Sequence, residues 1–366
     1  MARNRGLYRP EFERDSCGIG FVANIKGNKN HQVVSDALTI LENMEHRGAC
    51  GCESNTGDGA GILIQTPHAF FFDECLKMGV HLPAFGRYGV GSVFFPREIR
   101  LREESRDIFS RTAEELGLEV LAWRKVPVNP EDIGFAARSV EPEIEQVFVA
   151  CPDHITDPMA FERKLFVLRN YSSHLINNSV KKDPIGFYIA SLSYKVIVYK
   201  GQLTSKQVRT YYPDLNNKKV VSALGLVHSR FATNTFPSWK LAQPFRFIAH
   251  NGEINTLQGN LNWIKTNEKG YTSPYFSKEE MDMLLPLISG SQSDSASLDN
   301  MMELLTMTGR SLPHVMMMLI PEAWDGNESM DPEKKAFYEF HASVMEPWDG
   351  PASISFTDGR MIGATL

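Results

Sequence analysis

The sequence lacks any apolar run long enough to cross a bilayer, and it also lacks a cluster of basic residues. Its longest apolar stretches, such as residues 315–320, are far shorter than the ~20 residues that a membrane-spanning helix requires. The net charge is −6 at pH 7, so no positive stripe is available to displace counterions from a phosphate backbone. We therefore expect neither a membrane nor a nucleic acid among the partners.

Targeting signals are also missing. Residues 1–16 contain several arginines, but acidic residues interrupt them and no apolar segment follows, which excludes a secretory or organelle-targeting peptide. A short propeptide over residues 1–16 fits this composition better. Together with the lack of apolar spans, this predicts a soluble, cytoplasmic protein.

Cysteine is scarce. The chain has five cysteines, an odd number that favours reduced thiols in a cytoplasmic compartment. Cys50 and Cys52 are not followed by a second Cys or His pair at zinc-binding spacing. We therefore assign no metal site and expect no cofactor on these residues.

The apolar content of 42% is enough for a large core, and short β-branched or aromatic runs alternate with amphipathic stretches. Nine runs predict strands, at 19–23, 62–65, 90–95, 120–126, 146–150, 187–192, 195–199, 223–227 and 245–249. Helical patterns cover 33–44, 161–175 and the methionines at 301–302 and 316–318. No repeat or flexible linker divides the chain, so we predict one continuous α+β domain with more than one, mostly antiparallel, sheet.

Cys17 is the most informative residue, because it lies between Ser16 and Gly18 directly before the first predicted strand. If cleavage made Cys17 the first residue, its α-amine would titrate near ~8 beside a thiol of pKa near ~8.5, and the two groups could exchange a proton at neutral pH. An N-terminal amine is an established base for such a nucleophile. The alternative is that Cys17 is a small buried apolar residue.

Two glycine-rich segments follow the first predicted helix. Arg47 and Gly48 come directly after that helix, where Gly48 would ordinarily be a left-handed C-terminal cap and Arg47 a solvated cation. Residues 56–61 lead into a strand, but they lack the Lys-Ser/Thr of a phosphate-binding loop. A functional role for Arg47 stays open on these residues alone.

Three further polar positions lie at predicted strand or helix ends. Arg230 follows a strand and suits two-fold hydrogen bonding to a carboxylate. Asn251 and Gly252 follow another strand, where they are either a turn or a pair of donors for a developing oxyanion. Asp294 precedes a helix, where it either caps the helix or binds an ammonium group. With Cys17, this set is nearly complete for hydrolysing the side-chain amide of free glutamine.

The motifs at 17–20, 46–48, 228–233, 250–253 and 293–294 occur in an order that resembles the class II glutamine amidotransferases, which are N-terminal-nucleophile hydrolases. Segments 48–51, 55–61, 347–351 and 357–360 are similar to those of the large subunits of glutamate synthases. The resemblance covers essentially the whole chain from about Gly6. It implies a four-layer αββα sandwich over residues 17–366, with residues 1–16 removed as a propeptide.

The resemblance also implies the role of each residue. Cys17 would be the nucleophile, Asn251 and Gly252 would form the oxyanion hole, and Arg230 and Asp294 would bind the glutamine carboxylate and amine. A further pocket residue would be Arg47, which would become ordered when glutamine binds.

Glutamate synthase large subunits are much longer, and this implies that the chain is a C-terminally truncated part of one. The FMN, the iron–sulfur cluster and 2-oxoglutarate binding would belong to the synthase domains of the full-length enzyme, whose electrons would come from a small electron-transfer subunit or a ferredoxin. The alternatives are an amidotransferase of sugar, purine or asparagine synthesis, a non-catalytic module that keeps residues 1–16, and a thiol hydrolase that pairs Cys17 with His228 or His250.

Overall fold

The computed structural model describes residues 18–51, 53–180, 183–230, 236–288 and 292–365. The strands are β1 (Gly18–Ala23), β2 (Ala60–Gln65), β3 (Tyr88–Phe95), β4 (Glu119–Lys125), β5 (Glu143–Ala150), β6 (Tyr188–Ser193), β7 (Val196–Gly201), β8 (Leu224–Ser229), β9 (Ile248–Gly252), β10 (Ala352–Thr357) and β11 (Ile362–Thr365).

The helices are α1 (His31–Asn43), α2 (His68–Lys77), α3 (Ile99–Glu115), α4 (Phe135–Ser139), α5 (Pro158–Ser179), α6 (Gln207–Tyr211), α7 (Leu257–Asn267), α8 (Lys278–Leu284), α9 (Asp294–Met307), α10 (Leu312–Leu319) and α11 (Pro332–Ala342). None of the helices in the described part of the chain is long and apolar enough to span a membrane.

Each of the nine predicted strands overlaps an observed one, and neither β10 nor β11 is among the nine. The predicted strand at 245–249 is wrong in its first half, because β9 begins only at Ile248. A tight turn precedes it, in which the Phe245 N–H donates to the Ile248 carbonyl at 2.8 Å. The carboxylate of Asp299 accepts the N–H groups of Phe247 and Ile248, so a side chain distant in sequence determines where β9 begins.

The described strands form three sheets whose paired strands are all antiparallel. Their orders are β1-β8-β2-β7, β11-β10-β9 and β4-β5-β3-β6. This confirms the α+β fold class with more than one sheet. In the first sheet β1 pairs with β8 from Gly18 opposite Ser229 to Ala23 opposite Leu224, so the start of β1 lies beside the end of β8.

The first two sheets lie face to face between two helical layers, as the alternation of side chains shows. Ile62 and Ile64 of β2 pack with α1, whereas Leu63 of the same strand packs with Ala249 of β9. On the far face of β9, Ile248 joins the core formed by helices α7 to α10. Because neighbouring residues of a strand point to opposite faces, the order is helix, sheet, sheet, helix, which is the expected αββα arrangement.

The third sheet has its own helical cover. Val147 and Val149 of β5 pack against α3 and α5, while Phe148 packs on the opposite face with the core that contains α1 and α2. A buried ion-pair network supports this sheet, in which Arg124 donates to Asp214 and Glu74.

Candidate active site

The start of β1, the end of β8 and the segment after α1 meet at one end of the first sheet. Gly18 lies opposite Ser229 in the sheet. A side chain on Gly18 would place its Cβ 3.0 Å from Cβ of Arg47, in the short 3₁₀ helix that follows α1. Cys17 lies outside the described residues, but Gly18, which is bonded to it, therefore has Arg47 as a direct neighbour. The resemblance predicted Arg47 only as a further pocket residue.

Gly48 is not the left-handed cap of α1 that its position suggested. Its φ of −85° and ψ of 156° are extended rather than left-handed, and α1 already ends at Asn43. A Cβ on Gly48 would approach Ser229 Oγ to 2.6 Å. The glycine therefore lets the segment after α1 pass directly against the end of β8.

Arg230 continues the line of β8 and is buried. Its N–H donates to the Gly59 carbonyl at 2.8 Å, and its own carbonyl accepts from the Ala49 N–H at 3.2 Å. The glycine-rich segment thus encloses the backbone of Arg230, and a Cβ on Gly57 would overlap the Leu203 carbonyl at 2.2 Å. Gly57 therefore allows close backbone packing of this segment against Leu203.

Residues 231–235, which complete the motif after Arg230, lie outside the described residues.

Asn251 and Gly252 are the last two residues of β9 rather than a turn, so the alternative of a simple Asn-Gly turn is wrong. Asn251 is partly buried and Gly252 is exposed. Gly252 has φ of +118°, and a Cβ there would lie 1.9 Å from the Pro351 carbonyl of the segment before β10. Only glycine fits this position.

The hydrogen-bond pattern between β9 and β10 fixes the direction of the Gly252 N–H. Glu253 donates to the Pro351 carbonyl at 3.1 Å, and Gly252 lies opposite Ala352. In an antiparallel pair this identifies Gly252 and Ala352 as a non-hydrogen-bonded pair. The Gly252 N–H therefore points away from β10, toward the other edge of β9.

Asp294 is the first residue of α9, and Ser293 is its N-cap. Asp294 does not cap the helix in the usual sense, because one oxygen, Oδ2, accepts the Ile254 N–H at 3.0 Å. The other oxygen, Oδ1, accepts the N–H and the hydroxyl of Ser295 at 2.6 and 3.0 Å. The carboxylate is thereby fixed beside the residues that follow β9, and 22% of its side chain remains exposed.

His228 and His250 are buried structural residues. The His228 ring contacts the His250 carbonyl through Nε2 at 2.9 Å, which joins the end of β8 to the end of β9. Burial lowers the pKa of His228 to about 3, and burial also lowers the pKa of His250. Neither ring is accessible as a general base, which argues against a thiol hydrolase that pairs Cys17 with one of them.

The buried neutral His228 predicts a pH-dependent stability. Between about pH 6.5 and pH 3 the unfolded chain binds a proton that the folded chain does not, so stability is complete above pH 6.5 and falls as the pH drops. The slope from this residue is about 1.4 kcal/mol per pH unit. His228→Gln keeps an N–H donor for the His250 carbonyl but does not titrate. Urea midpoints between pH 7 and pH 5 should fall more steeply for the parent protein than for the variant, and parallel curves would contradict this assignment.

Two residues of the site were not assigned from the sequence. Gln243 and Ser295 are buried and hydrogen bond to His250, immediately before the Asn251–Gly252 pair. Ser295 is next to Asp294 in a segment that the sequence did indicate, whereas no local pattern marks Gln243.

A cavity of about 600 Å³ borders α9, and none of the predicted site residues in the described part of the chain lines it. Ala296 and Asn300 of α9 line it together with Arg169, Lys240 and Arg246. The predicted site residues that the structure describes lie outside this cavity. Their backbone segments lie where β1, β8, β9 and α9 meet. These residues are Arg47, Arg230, Asn251, Gly252 and Asp294.

The sequence profile of the family described as "Glutamine amidotransferases class-II" matches residues 17–366, and the match begins at Cys17. The chain is 48% identical over 366 residues to "Glutamate synthase [NADPH] large chain" of Bacillus subtilis (strain 168), covering 100% of this chain and 24% of that protein. It is 49% identical over 372 residues to "Glutamate synthase [NADH]" of Schizosaccharomyces pombe, covering 100% of this chain and 17% of that protein.

A third relative is "Ferredoxin-dependent glutamate synthase 2, chloroplastic" of Arabidopsis thaliana, which is 41% identical over 361 residues and covers 97% of this chain and 22% of that protein. The chain therefore spans a quarter or less of the length of these relatives.

Proposed function

The chain belongs to the class II glutamine amidotransferases, and from this membership we propose that it hydrolyses the side-chain amide of glutamine to glutamate and ammonia. The observation that carries the proposal is the family match from residue 17 onward. Contacts that join the start of β1 to β8, β8 to β9, and the residues after β9 to α9 support it. The proposed contacts to the oxyanion and the two α-groups each lie on one of these elements or directly follow it, whereas Arg47 lies in the 3₁₀ helix after α1.

Cys17 is the proposed nucleophile, activated by its own α-amine after removal of residues 1–16. The start of the family match at Cys17 supports cleavage at that position. The other described cysteines are poor candidates, because burial raises the pKa of Cys75 to about 11 and also raises the pKa of Cys151. At Cys50 burial raises the pKa, and the carboxylates of Asp58 and Glu45 raise it further.

The proposed reaction uses these groups in the following order. The α-amine takes the thiol proton, and the thiolate attacks the side-chain carbonyl carbon of glutamine. The Asn251 side-chain amide and the Gly252 N–H stabilise the resulting oxyanion. The protonated amine returns its proton to the leaving nitrogen, which departs as ammonia and leaves a γ-glutamyl thioester. Water, deprotonated by the same amine, attacks the thioester, and glutamate leaves as the thiol is restored.

Arg230 and Asp294 are the proposed ligands of the two charged α-groups of glutamine. Arg230 would hold the carboxylate, since a guanidinium can form two parallel hydrogen bonds to it. Asp294 would hold the ammonium with the exposed part of a carboxylate that three protein donors already orient. Arg47, beside Gly18, would close the pocket over the bound substrate.

Glutamine protection of Cys17 tests this clamp. Arg230→Lys and Asp294→Asn should each weaken glutamine binding about 10-fold or more, because each removes charge-assisted hydrogen bonds to the substrate. Cys17 should still react with iodoacetamide in both variants, but glutamine should no longer slow that reaction. Asp331→Asn is a matched control, since Asp331 also accepts backbone N–H groups at a helix start, that of α11.

If glutamine protects Cys17 in Asp294→Asn as well as in Asp331→Asn, then Asp294 is only part of the scaffold. In that case Asp294→Asn and Asp331→Asn should each change only the free energy of unfolding, by about 1 kcal/mol.

We further propose that the chain is the amidotransferase part of a glutamate synthase large subunit, in which the released ammonia would be used for reductive amination of 2-oxoglutarate. The names and identities of the relatives support this. By the same resemblance, the FMN and the iron–sulfur cluster would belong to the synthase domains of a full-length enzyme.

The relatives include NADPH-, NADH- and ferredoxin-dependent enzymes. A small electron-transfer subunit or a ferredoxin is accordingly the proposed partner. Joining this chain to the synthase part of such a relative and assaying glutamine-dependent glutamate formation would test this assignment.

A further inference from the structure

A single buried side chain, that of Gln243, holds both backbone polar atoms of His250. Its Oε1 accepts the His250 N–H at 2.8 Å, and its Nε2 donates to the His250 carbonyl at 3.3 Å. Among the described strands β9 is an edge strand, with β10 on one side only. The amide of Gln243 therefore takes the place of a neighbouring strand at this point of the open edge.

Gly252 is the next residue along the same edge. Residues two apart in a strand direct their N–H groups to the same side, and Gly252, like His250, belongs to a pair that is not hydrogen bonded to β10. The donors and acceptors of Gln243 thus fix the strand immediately before the N–H that we assign to the oxyanion hole. A shift of His250 would move that N–H directly.

Ser295 connects the same point to Asp294. The Ser295 hydroxyl lies 3.0 Å from Asp294 Oδ1, 2.8 Å from His250 Nδ1 and 3.4 Å from Gln243 Nε2. Because the carboxylate only accepts, the hydroxyl donates to Asp294 and accepts from the other two groups. Burial lowers the pKa of the His250 ring and so favours its neutral form. The polarity of these hydrogen bonds then places its one proton on Nδ1.

We infer that Gln243 is a positioning residue that, through His250 and Ser295, sets the separation between the oxyanion donors and Asp294. The inference rests on the proposed function. In glutamine the α-ammonium and the reacting amide are joined by a short carbon chain. A small error in that separation misaligns the carbonyl oxygen with its donors even while the α-groups remain bound.

The test uses Gln243→Leu, with rates expressed per Cys17 that can be alkylated, so that misfolded protein does not count. We expect kcat to fall about 10- to 100-fold with less than about a 3-fold change in KM, because the loss arises in the transition state. Gln146→Leu is the matched control. Gln146 is also a buried amide, bonded to Arg124 and to Tyr199, but it lies in the third sheet. The Gln146→Leu variant should be less stable than the parent protein but keep the parent kcat and KM.

Gln243→Glu distinguishes positioning from a general structural role and remains informative if the leucine variant does not fold. A carboxylate facing the His250 carbonyl supplies no donor, whereas the protonated acid supplies one, and burial beside a carbonyl raises the pKa of such an acid. Activity relative to the parent protein should therefore be lowest at high pH and recover as the pH falls.

Two results would overturn the inference while leaving the glutaminase assignment intact. One is a parent-like kcat in both Gln243 variants. The other is an activity of Gln243→Glu, relative to the parent protein, that does not change with pH. An inactive parent protein that carries a free Cys17 amine would instead refute the proposed function itself.

Discussion

Replacing Cys17 with serine is expected to lower glutamine hydrolysis by a factor on the order of 10³ or more, because a hydroxyl near neutral pH is a far weaker nucleophile than a thiol. Glutamine should still bind, since the residues proposed to hold its α-groups are unchanged. Steady-state kinetics and equilibrium binding of glutamine, both measured on protein that begins at residue 17, would separate these effects.

Cys50→Ser is the natural control for that experiment. Cys50 is exposed, but its thiol has a raised pKa and is not expected to take part in the reaction. Full activity in Cys50→Ser together with loss in Cys17→Ser assigns the nucleophile, whereas comparable turnover by Cys17→Ser would exclude Cys17.

Asn251→Ala should lower kcat by about 10²–10³, equivalent to about 2.7–4 kcal/mol of lost transition-state stabilisation. The physical reason is that the amide donates to the oxyanion, which carries its full charge only as the tetrahedral intermediate forms. KM should change much less than kcat. Asn255→Ala provides a comparison, because Asn255 is an exposed residue of the same type four positions later.

A large rise in KM for Asn251→Ala with unchanged kcat would reassign Asn251 to ground-state binding. Equal losses in Asn251→Ala and Asn255→Ala would instead indicate a general disturbance of the chain after β9.

The strands that the sequence predicted well are those in which β-branched or aromatic residues are concentrated, such as β3 and β7. β10 was missed because its sequence ASISFT alternates small polar residues with only two large apolar ones. The start of β9 was misplaced because residues 245–247 have strand-like composition. The carboxylate of Asp299, about 50 positions later, determines where β9 begins, and no local sequence pattern reveals this.

The candidate site shows the same division. Its proposed chemistry-bearing residues could be selected from motifs, because the residue types that bind a carboxylate, an ammonium or an oxyanion are few and stand at strand or helix ends. Gln243 and Ser295 could not, because their role depends on hydrogen bonds to His250 that bridge up to 45 residues of sequence. Positioning residues of this kind become visible only when the chain is folded.

Trapping the covalent intermediate tests the central claim most directly. Protein that turns over radiolabelled glutamine would be quenched in acid, digested and mapped by mass spectrometry, with the N-terminus of the active species read from the same spectra. The account predicts a γ-glutamyl thioester on Cys17 and an active species in which Cys17 is the first residue. Full turnover by protein that still carries Met1, or a γ-glutamyl group on any other residue, would contradict it.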